Sequence, residues 1–204
     1  MSSNGVGSKL DAGPAAGGEG PAGKVDAGPA RSGDNASEAP ARVATVLDRS
    51  FQLAYKAAYR MMRVYWGVRR PATHGALVTL WNQGELLLIQ NSYVTYRSLP
   101  GGYVGRYETG AEAAVRELRE EIGVTARTEQ LEKVYDEVKD WEGKRDHVEV
   151  FKLELSTRPV VRIDHREVIE AGWYTPARAL ELDLFPPIRL ILEAQLAGRA
   201  LIPS

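Results

Sequence analysis

Three carboxylates recur at helical spacing near the middle of the chain. Glu117, Glu120 and Glu121 lie within the segment RELREEIG, and positions i, i+3 and i+4 of an α-helix share one face. Like charges at this spacing repel by about 0.2–0.5 kcal/mol per pair in water. A bound divalent cation makes the same clustering favourable, because Mg²⁺ and Mn²⁺ bind several hard oxygen ligands that lie close together. The spacing favours a metal site, and the alternative is a solvated helix carrying Glu/Arg pairs.

The opposite face of the same segment is apolar, which predicts a helix over residues 111–122 that rests on a core. Arg116 precedes Glu120 by four residues, so its guanidinium can hold that carboxylate in one orientation. Gly123 follows at the position where a helix C-cap needs a positive φ. The apolar side chains are Ala111, Ala114, Val115, Leu118 and Ile122.

The fixed residues around this helix resemble the signature of the Nudix hydrolase family. The signature segment begins at Gly102 and ends at Val124, and every fixed position is filled. The probability that the seven fixed residues match by chance is on the order of one in 10⁹ per window. The fixed positions are Gly102, Glu108, Arg116, Glu117, Glu120, Glu121 and Gly123, with aliphatic residues at Leu118 and Val124. Members of this family hydrolyse a nucleoside diphosphate linked to another group, or a related pyrophosphate.

The resemblance implies a metal-dependent pyrophosphohydrolase in which water attacks a phosphorus atom. It assigns Mg²⁺, with Mn²⁺ as a substitute, to Glu117, Glu120, Glu121 and the main-chain carbonyl near Gly102. Glu120, Glu117 and Arg116 form the implied catalytic set, in which Arg116 orients the carboxylates. A pyrophosphate concentrates negative charge, and bound cations neutralise it and lower the pKa of the attacking water.

The remaining site candidates lie outside the acidic helix, with the exception of Glu120. Arg97 and Arg145 are candidates to bind phosphates, and Glu108 is expected to brace its loop or approach a metal through water. Glu120 is the first candidate for the base that deprotonates water, and the alternatives are Glu137, Asp140 and Glu167. Four aromatic side chains could stack on a base, although each is expected to pack in the core. They are Trp81, Tyr93, Tyr96 and Trp141.

The loop before the helix departs from the common form of the signature. Members often read GGxxExGE, whereas this chain reads GGYVGRYE, so Gly105 replaces a frequent Glu and Tyr107 a frequent Gly. Neither is a fixed position. The alternative function is a Nudix-like module that binds a nucleotide with little or no turnover.

The elements that must position these residues begin with strands, continue with one helix and further strands, and end with a helix. That order predicts an α/β fold in which helices enclose a mixed sheet. The resemblance implies an α/β/α sandwich with a mixed sheet. Strands are predicted over residues 76–81, 85–93, 130–140, 147–155 and 170–174, and a terminal helix over residues 187–197.

Three regions divide the chain. Residues 1–42 are rich in Gly, Ala and Pro and are predicted to be a disordered tail. Residues 43–70 form an amphipathic helix and linker, and residues 71–204 the Nudix domain. The helix is expected to bury its aromatic face on its own domain or in a homodimer, with membrane binding as the alternative. That face comprises Leu47, Phe51, Tyr55, Ala58, Met62 and Tyr65.

Composition restricts the partners of the chain. The formal net charge of −1 and the pI of about 6.3 give no strong nucleic-acid signal. The absence of cysteine excludes disulfides and zinc–thiolate sites and fits a cytoplasmic location. No apolar run is long enough for a transmembrane segment. The expected partner is a small nucleotide or pyrophosphate.

Overall fold

The computed structural model describes residues 45–199, so the predicted tail over residues 1–42 lies outside the described residues. Within the described part, one helix separates two groups of three strands, as the sequence order predicts. The elements in chain order are α1 (Val46–Arg69), β1 (Ala72–Asn82), β2 (Glu85–Asn91), β3 (Gly101–Tyr103), α2 (Gly110–Ile122), β4 (Glu132–Trp141), β5 (Lys144–Glu154), β6 (Val168–Tyr174), α3 (Pro176–Leu180) and α4 (Pro186–Leu196).

The strands form one mixed sheet in the order β4-β5-β1-β2-β6, with β3 added to β1. The pairing of β1 with β5 is parallel, and the other pairings are antiparallel. Ala76 of β1 lies opposite Gly102 of β3, which brings the start of the signature segment against a central strand. The mixed sheet confirms the predicted fold class.

Each face of the sheet buries its own core. Leu87 and Ile89 of β2 pack on one side with Leu118 of α2. Leu86 and Leu88 point to the other side and join a cluster that includes α4. Because successive side chains of a strand alternate between faces, an unbroken apolar run is what a strand between two helical layers requires. The architecture is therefore the α/β/α sandwich.

Helix α2 is fixed by local signals at both ends. Thr109 accepts a hydrogen bond from the Glu112 amide, and the Glu112 carboxylate accepts one from the Thr109 amide, which completes a capping box. Gly123 ends the helix with φ of 71°, a left-handed conformation that glycine adopts without strain.

Helix α1 contacts the domain through part of the predicted face and through Trp66. Its N-cap is Thr45, which forms a capping box with Asp48. Trp66 is buried, whereas Leu47, Met62 and Tyr65 are exposed. Phe51 and Tyr55 of the predicted face do contact the domain. The three exposed residues are not buried within the chain, and their burial in a homodimer stays a prediction. Among residues 45–199, no helix combines the length and apolar character that crossing a bilayer requires.

Candidate active site

Strand β3 brings the backbone of two glycines against the acids of α2. The amide of Gly101 donates a hydrogen bond to Glu121 Oε2 at 2.8 Å. A Cβ on Gly102 would lie 2.3 Å from Glu117 Oε1, and one on Gly101 would lie 2.2 Å from the Ala76 carbonyl oxygen. Neither position has room for a side chain, so both carboxylates approach the main chain closely.

Arg116 joins the acidic residues into one network. Its Nε and Nη2 bind both oxygens of Glu108, at 3.2 and 2.8 Å. Its Nη1 lies 2.7 Å from Glu117 Oε1 and 3.4 Å from Glu120 Oε2. The Glu108 hydrogen bonds raise the pKa of Arg116, while Arg116 and then the Gly105 amide lower the pKa of Glu108. The guanidinium thus holds three carboxylates at fixed positions.

Burial raises the pKa of Glu121 well above its usual range. The neighbouring charges of Glu117, Glu167 and Asp164 raise it further, and the Gly101 amide opposes them. Negative charges are therefore crowded where water solvates them poorly. Glu120 adds a third carboxylate on the same helix face and is 52% exposed. An all-oxygen donor set of this kind fits Mg²⁺ or Mn²⁺.

Among the candidate bases outside α2, Glu167 is close enough to the acidic residues for their charges to affect its pKa. It accepts a hydrogen bond from the Tyr93 hydroxyl at 3.1 Å. Burial raises its pKa, and the charges of Glu117 and Asp164 raise it further. By contrast, Glu137 is paired with Lys139 on β4, and that hydrogen bond lowers its pKa. Asp140 is exposed on the same strand.

Helix α1 anchors the loop that carries Glu167. The Arg166 Nε lies 3.2 Å from Asp48 Oδ1, and the Arg166 guanidinium lies over the Phe51 ring, 4.6 Å from its centre. Gln52 donates to the carbonyl of His165 at 2.8 Å. These contacts hold the residues just before Glu167, so α1 positions the loop that carries it.

An aromatic cleft of about 160 Å³ opens beside the glycines. Helix α1 contributes Tyr59 and Trp66, and the floor includes Gly101 and Gly102. Of the aromatic residues expected in the core, only Trp81 is there. The expectation is wrong for Tyr93, Tyr96 and Trp141, which line the cleft together with Phe185.

A buried lysine supplies positive charge to this cleft. Lys144 Nζ lies 2.9 Å from Asp146 Oδ2 and 4.7 Å from the centre of the Trp66 ring. The sequence did not predict Lys144 as a site residue. Its position directly after a hairpin turn is the one feature that could have indicated it. Arg97 instead pairs with Glu170 at 2.7 Å, and Arg145 is exposed. Neither arginine is among the described residues that line the cleft, and their phosphate contacts stay predictions.

The unusual loop before α2 directs its two bulky residues toward solvent. The Gly105 amide donates to Glu108 Oε1 at 2.6 Å, and a Cβ on Gly105 would lie 2.9 Å from that oxygen. Tyr107 is 91% exposed and packs with Arg106, whose guanidinium lies 5.4 Å from the ring centre. The bulky pair therefore faces solvent, and glycine at position 105 lets Glu108 fold back on its own loop.

A second group of possible metal ligands lies at the other end of α2. His74 and His147 stack with ring centres 4.1 Å apart, and His74 Nε2 lies 2.9 Å from Glu149 Oε2. The Lys133 ammonium contacts both Glu149 and Asp136. One ammonium balances only one of these two carboxylate charges, so the group keeps a negative charge beside two imidazoles.

Comparison with known proteins agrees with this geometry. Residues 70–195 match the NUDIX domain family. The MutT protein from Methanosarcina mazei Go1 is similar with a TM-score of 0.55 and 23% identity, over 64% of this chain and 97% of that one. A C. elegans Ap4A hydrolase binary complex is similar with a TM-score of 0.53 and 25% identity, over 62% of this chain and 98% of that one.

The NUDIX domain of Shewanella oneidensis NrtR, complexed with ADP ribose, has a TM-score of 0.53 and 20% identity, over 62% of this chain and 88% of that one. No curated relative matches the chain by sequence. The family match spans more than half of the chain and contains the whole signature segment. The chain therefore belongs to the NUDIX domain family and is a Nudix-type pyrophosphohydrolase.

Proposed function

We propose that this protein hydrolyses the pyrophosphate bond of a nucleoside diphosphate linked to another group, and that it requires Mg²⁺ or Mn²⁺. The observation that carries the proposal is the approach of Glu117 and Glu121 to the backbone of Gly102 and Gly101. Glu117, Glu120, Glu121 and the Gly102 carbonyl would hold the metal. When bound, the ion supplies Lewis-acid stabilisation of the phosphates and lowers the pKa of the attacking water.

The protein's own residues supply orientation and proton transfer in this proposal. Arg116 keeps Glu117 and Glu120 at fixed distances, which a metal site needs from the residues around its ligands. Glu167 accepts the proton of the attacking water, because its raised pKa makes it a stronger base than an exposed carboxylate. The Tyr93 hydroxyl orients Glu167 through its hydrogen bond.

The similar structures support a nucleotide as the substrate class. One is an Ap4A hydrolase, and another NUDIX domain was crystallised with ADP ribose. The partner that we propose is accordingly a small nucleotide in the cytoplasm.

A homodimer stays a prediction. It would cover exposed apolar side chains that α1 carries. These are Leu53, Met61, Val64 and Val68.

A substrate panel tests the proposed reaction. We expect turnover of at least one nucleoside diphosphate sugar, dinucleoside polyphosphate, NADH, ADP-ribose or nucleoside triphosphate, measured by phosphate release and chromatography. Activity should disappear in EDTA and return with Mg²⁺ or Mn²⁺, since without a cation nothing neutralises the phosphate charge or lowers the pKa of the attacking water. If no compound turns over at any metal concentration, the non-catalytic nucleotide-binding module replaces this proposal.

The close approach at Gly102 gives a second prediction. Gly102→Ala places a methyl group where the Glu117 carboxylate now lies and should lower kcat about 100-fold by displacing that ligand. Gly67→Ala is the matched control, because a Cβ there meets nothing within 4 Å. Steady-state kinetics and thermal melting of both variants separate loss of activity from loss of fold. A normal rate for Gly102→Ala would remove Glu117 from the site.

A further inference from the structure

Two histidines and one glutamate form a cluster on the sheet near the start of α2. His74 of β1 lies opposite His147 of β5 in the parallel pairing, and Glu149 follows on β5 two residues later. Because side chains two residues apart in a strand share a face, all three project from the same side of the sheet. One nitrogen or oxygen atom of each lies within 4.8 Å of the others. We call these three residues the His/Glu cluster.

The hydrogen bonds of Glu149 show which of its oxygens is open to a cation. His74 Nε2 lies 2.9 Å from Glu149 Oε2, and the imidazole is the donor because an ionised carboxylate only accepts hydrogen bonds. A cation can take the place of this proton while the ring is protonated at its other nitrogen. The Lys133 ammonium contacts the opposite oxygen, Oε1, so it does not compete for Oε2.

The first residue of α2 makes room for the same oxygen. A Cβ on Gly110 would lie 1.8 Å from Glu149 Oε2, so only glycine leaves space for the carboxylate at this position. Glu149 is 6% exposed and is therefore held between the sheet and the helix. A ligand that is already held in place loses little conformational freedom when it binds. The Glu149 carboxylate is thus prepared for a cation before one arrives.

The charges and donor types of the cluster indicate which cation fits. Glu149 and Asp136 carry two negative charges, and Lys133 supplies one positive charge to both. His147 Nε2 lies 2.7 Å from Asp136 Oδ1, so each imidazole has a carboxylate partner, as metal-binding histidines usually do. Two imidazoles with one carboxylate are a typical donor set for Zn²⁺, whereas Mg²⁺ takes oxygen ligands.

We propose that the His/Glu cluster is a second metal site, which binds Zn²⁺ through His74, His147 and Glu149. The ligand atoms of a tetrahedral Zn²⁺ lie about 3.4 Å apart, and the three atoms here already lie within 4.8 Å of one another. The ion joins β1 to β5 at the start of α2 and so stabilises the folded protein. This role is independent of the proposed hydrolysis.

Zinc binding in excess Mg²⁺ tests the site. The full chain is titrated with ZnCl₂ by calorimetry while Mg²⁺ occupies the acids of α2. We expect Zn²⁺ to bind and to raise Tm, because a ligand of the folded state stabilises it. His74→Gln and His147→Gln should each weaken Zn²⁺ by about 100-fold or more and abolish the rise in Tm, since loss of an outer carboxylate alone costs about 10–100-fold. Absence of binding, or an affinity unchanged by both variants, would overturn the proposal.

Further variants separate the cluster from the acids of α2. Glu120→Gln should keep the zinc affinity, because Glu120 is not a member of the cluster. Gly110→Ala should weaken Zn²⁺ about 10-fold by displacing the Glu149 carboxylate without removing a ligand atom. If instead Glu120→Gln abolishes zinc binding and Gly110→Ala does not affect it, Zn²⁺ binds at the acids and the proposal fails.

Histidine NMR of the unaltered protein gives a reading that does not depend on how a ligand variant folds. The chain contains three histidines, and His165 lies outside the cluster. His165→Asn identifies the imidazole signals of that residue, and Asn tolerates its φ of 62°. Zn²⁺ should shift the other two sets of imidazole signals and leave those of His165 unchanged. A shift confined to His165, or no shift of any imidazole, would contradict the site.

Discussion

Glu120→Gln is expected to lower kcat about 1,000-fold while the protein stays folded. The change removes one charged metal ligand, and a bound metal contributes several kcal/mol at about 1.4 kcal/mol per tenfold change in rate. Glu120 is half exposed, and its contact with Arg116 is a long one at 3.4 Å, so little stability depends on it. Steady-state kinetics across a Mg²⁺ titration, together with thermal melting, measures both effects.

Glu112→Gln is the matched control on the same helix. Glu112 belongs to the capping box, and Gln fills that role as well as Glu does. Its kcat should stay within about twofold of the unaltered protein, since surface changes away from the site have small effects. A near-normal rate for Glu120→Gln, or an equal loss in both variants, would refute the metal assignment of Glu120.

Glu167→Gln is expected to lower kcat by about 10²–10⁴-fold, the usual contribution of a positioned general base. Unlike Glu120→Gln, it should leave the Mg²⁺ dependence unchanged. A base acts only when ionised, so the rate of the unaltered protein should fall as pH falls through the pKa of Glu167. Burial raises that pKa above 4.5, which moves this decline upward in pH. The residual rate of the variant should lack the decline.

Glu170→Gln controls for loss of a carboxylate on the neighbouring strand. Glu170 is exposed and pairs with Arg97, away from the cleft lining. Its pH–rate profile should match that of the unaltered protein. If Glu167→Gln keeps the decline at low pH, another group is the base, and Glu120 becomes the first candidate again.

Helix α2 shows what the sequence alone could predict. Its ends are marked by Thr109 and Gly123, and its apolar face follows the helical period, so neighbouring residues determine its bounds. The strands were less predictable at their ends. Strand β1 begins at Ala72 instead of residue 76, because its pairing with Arg145 of β5 extends it. Such pairing depends on residues far apart in the chain.

The cleft could not be predicted for the same reason. The rotation of α1 depends on Asp48 meeting Arg166, a contact between residues 118 positions apart. An apolar pattern on one helix does not reveal such a partner, so it could not predict which residues of α1 contact the domain.

Helix α1 both lines the aromatic cleft and holds the loop of Glu167, yet it precedes the residues that match the family. The proposed metal ligands lie on α2, whereas the proposed base depends on α1 for its position. Replacing that one helix would therefore alter both the cleft and the placement of Glu167, while the acidic face of α2 would keep its own capping signals.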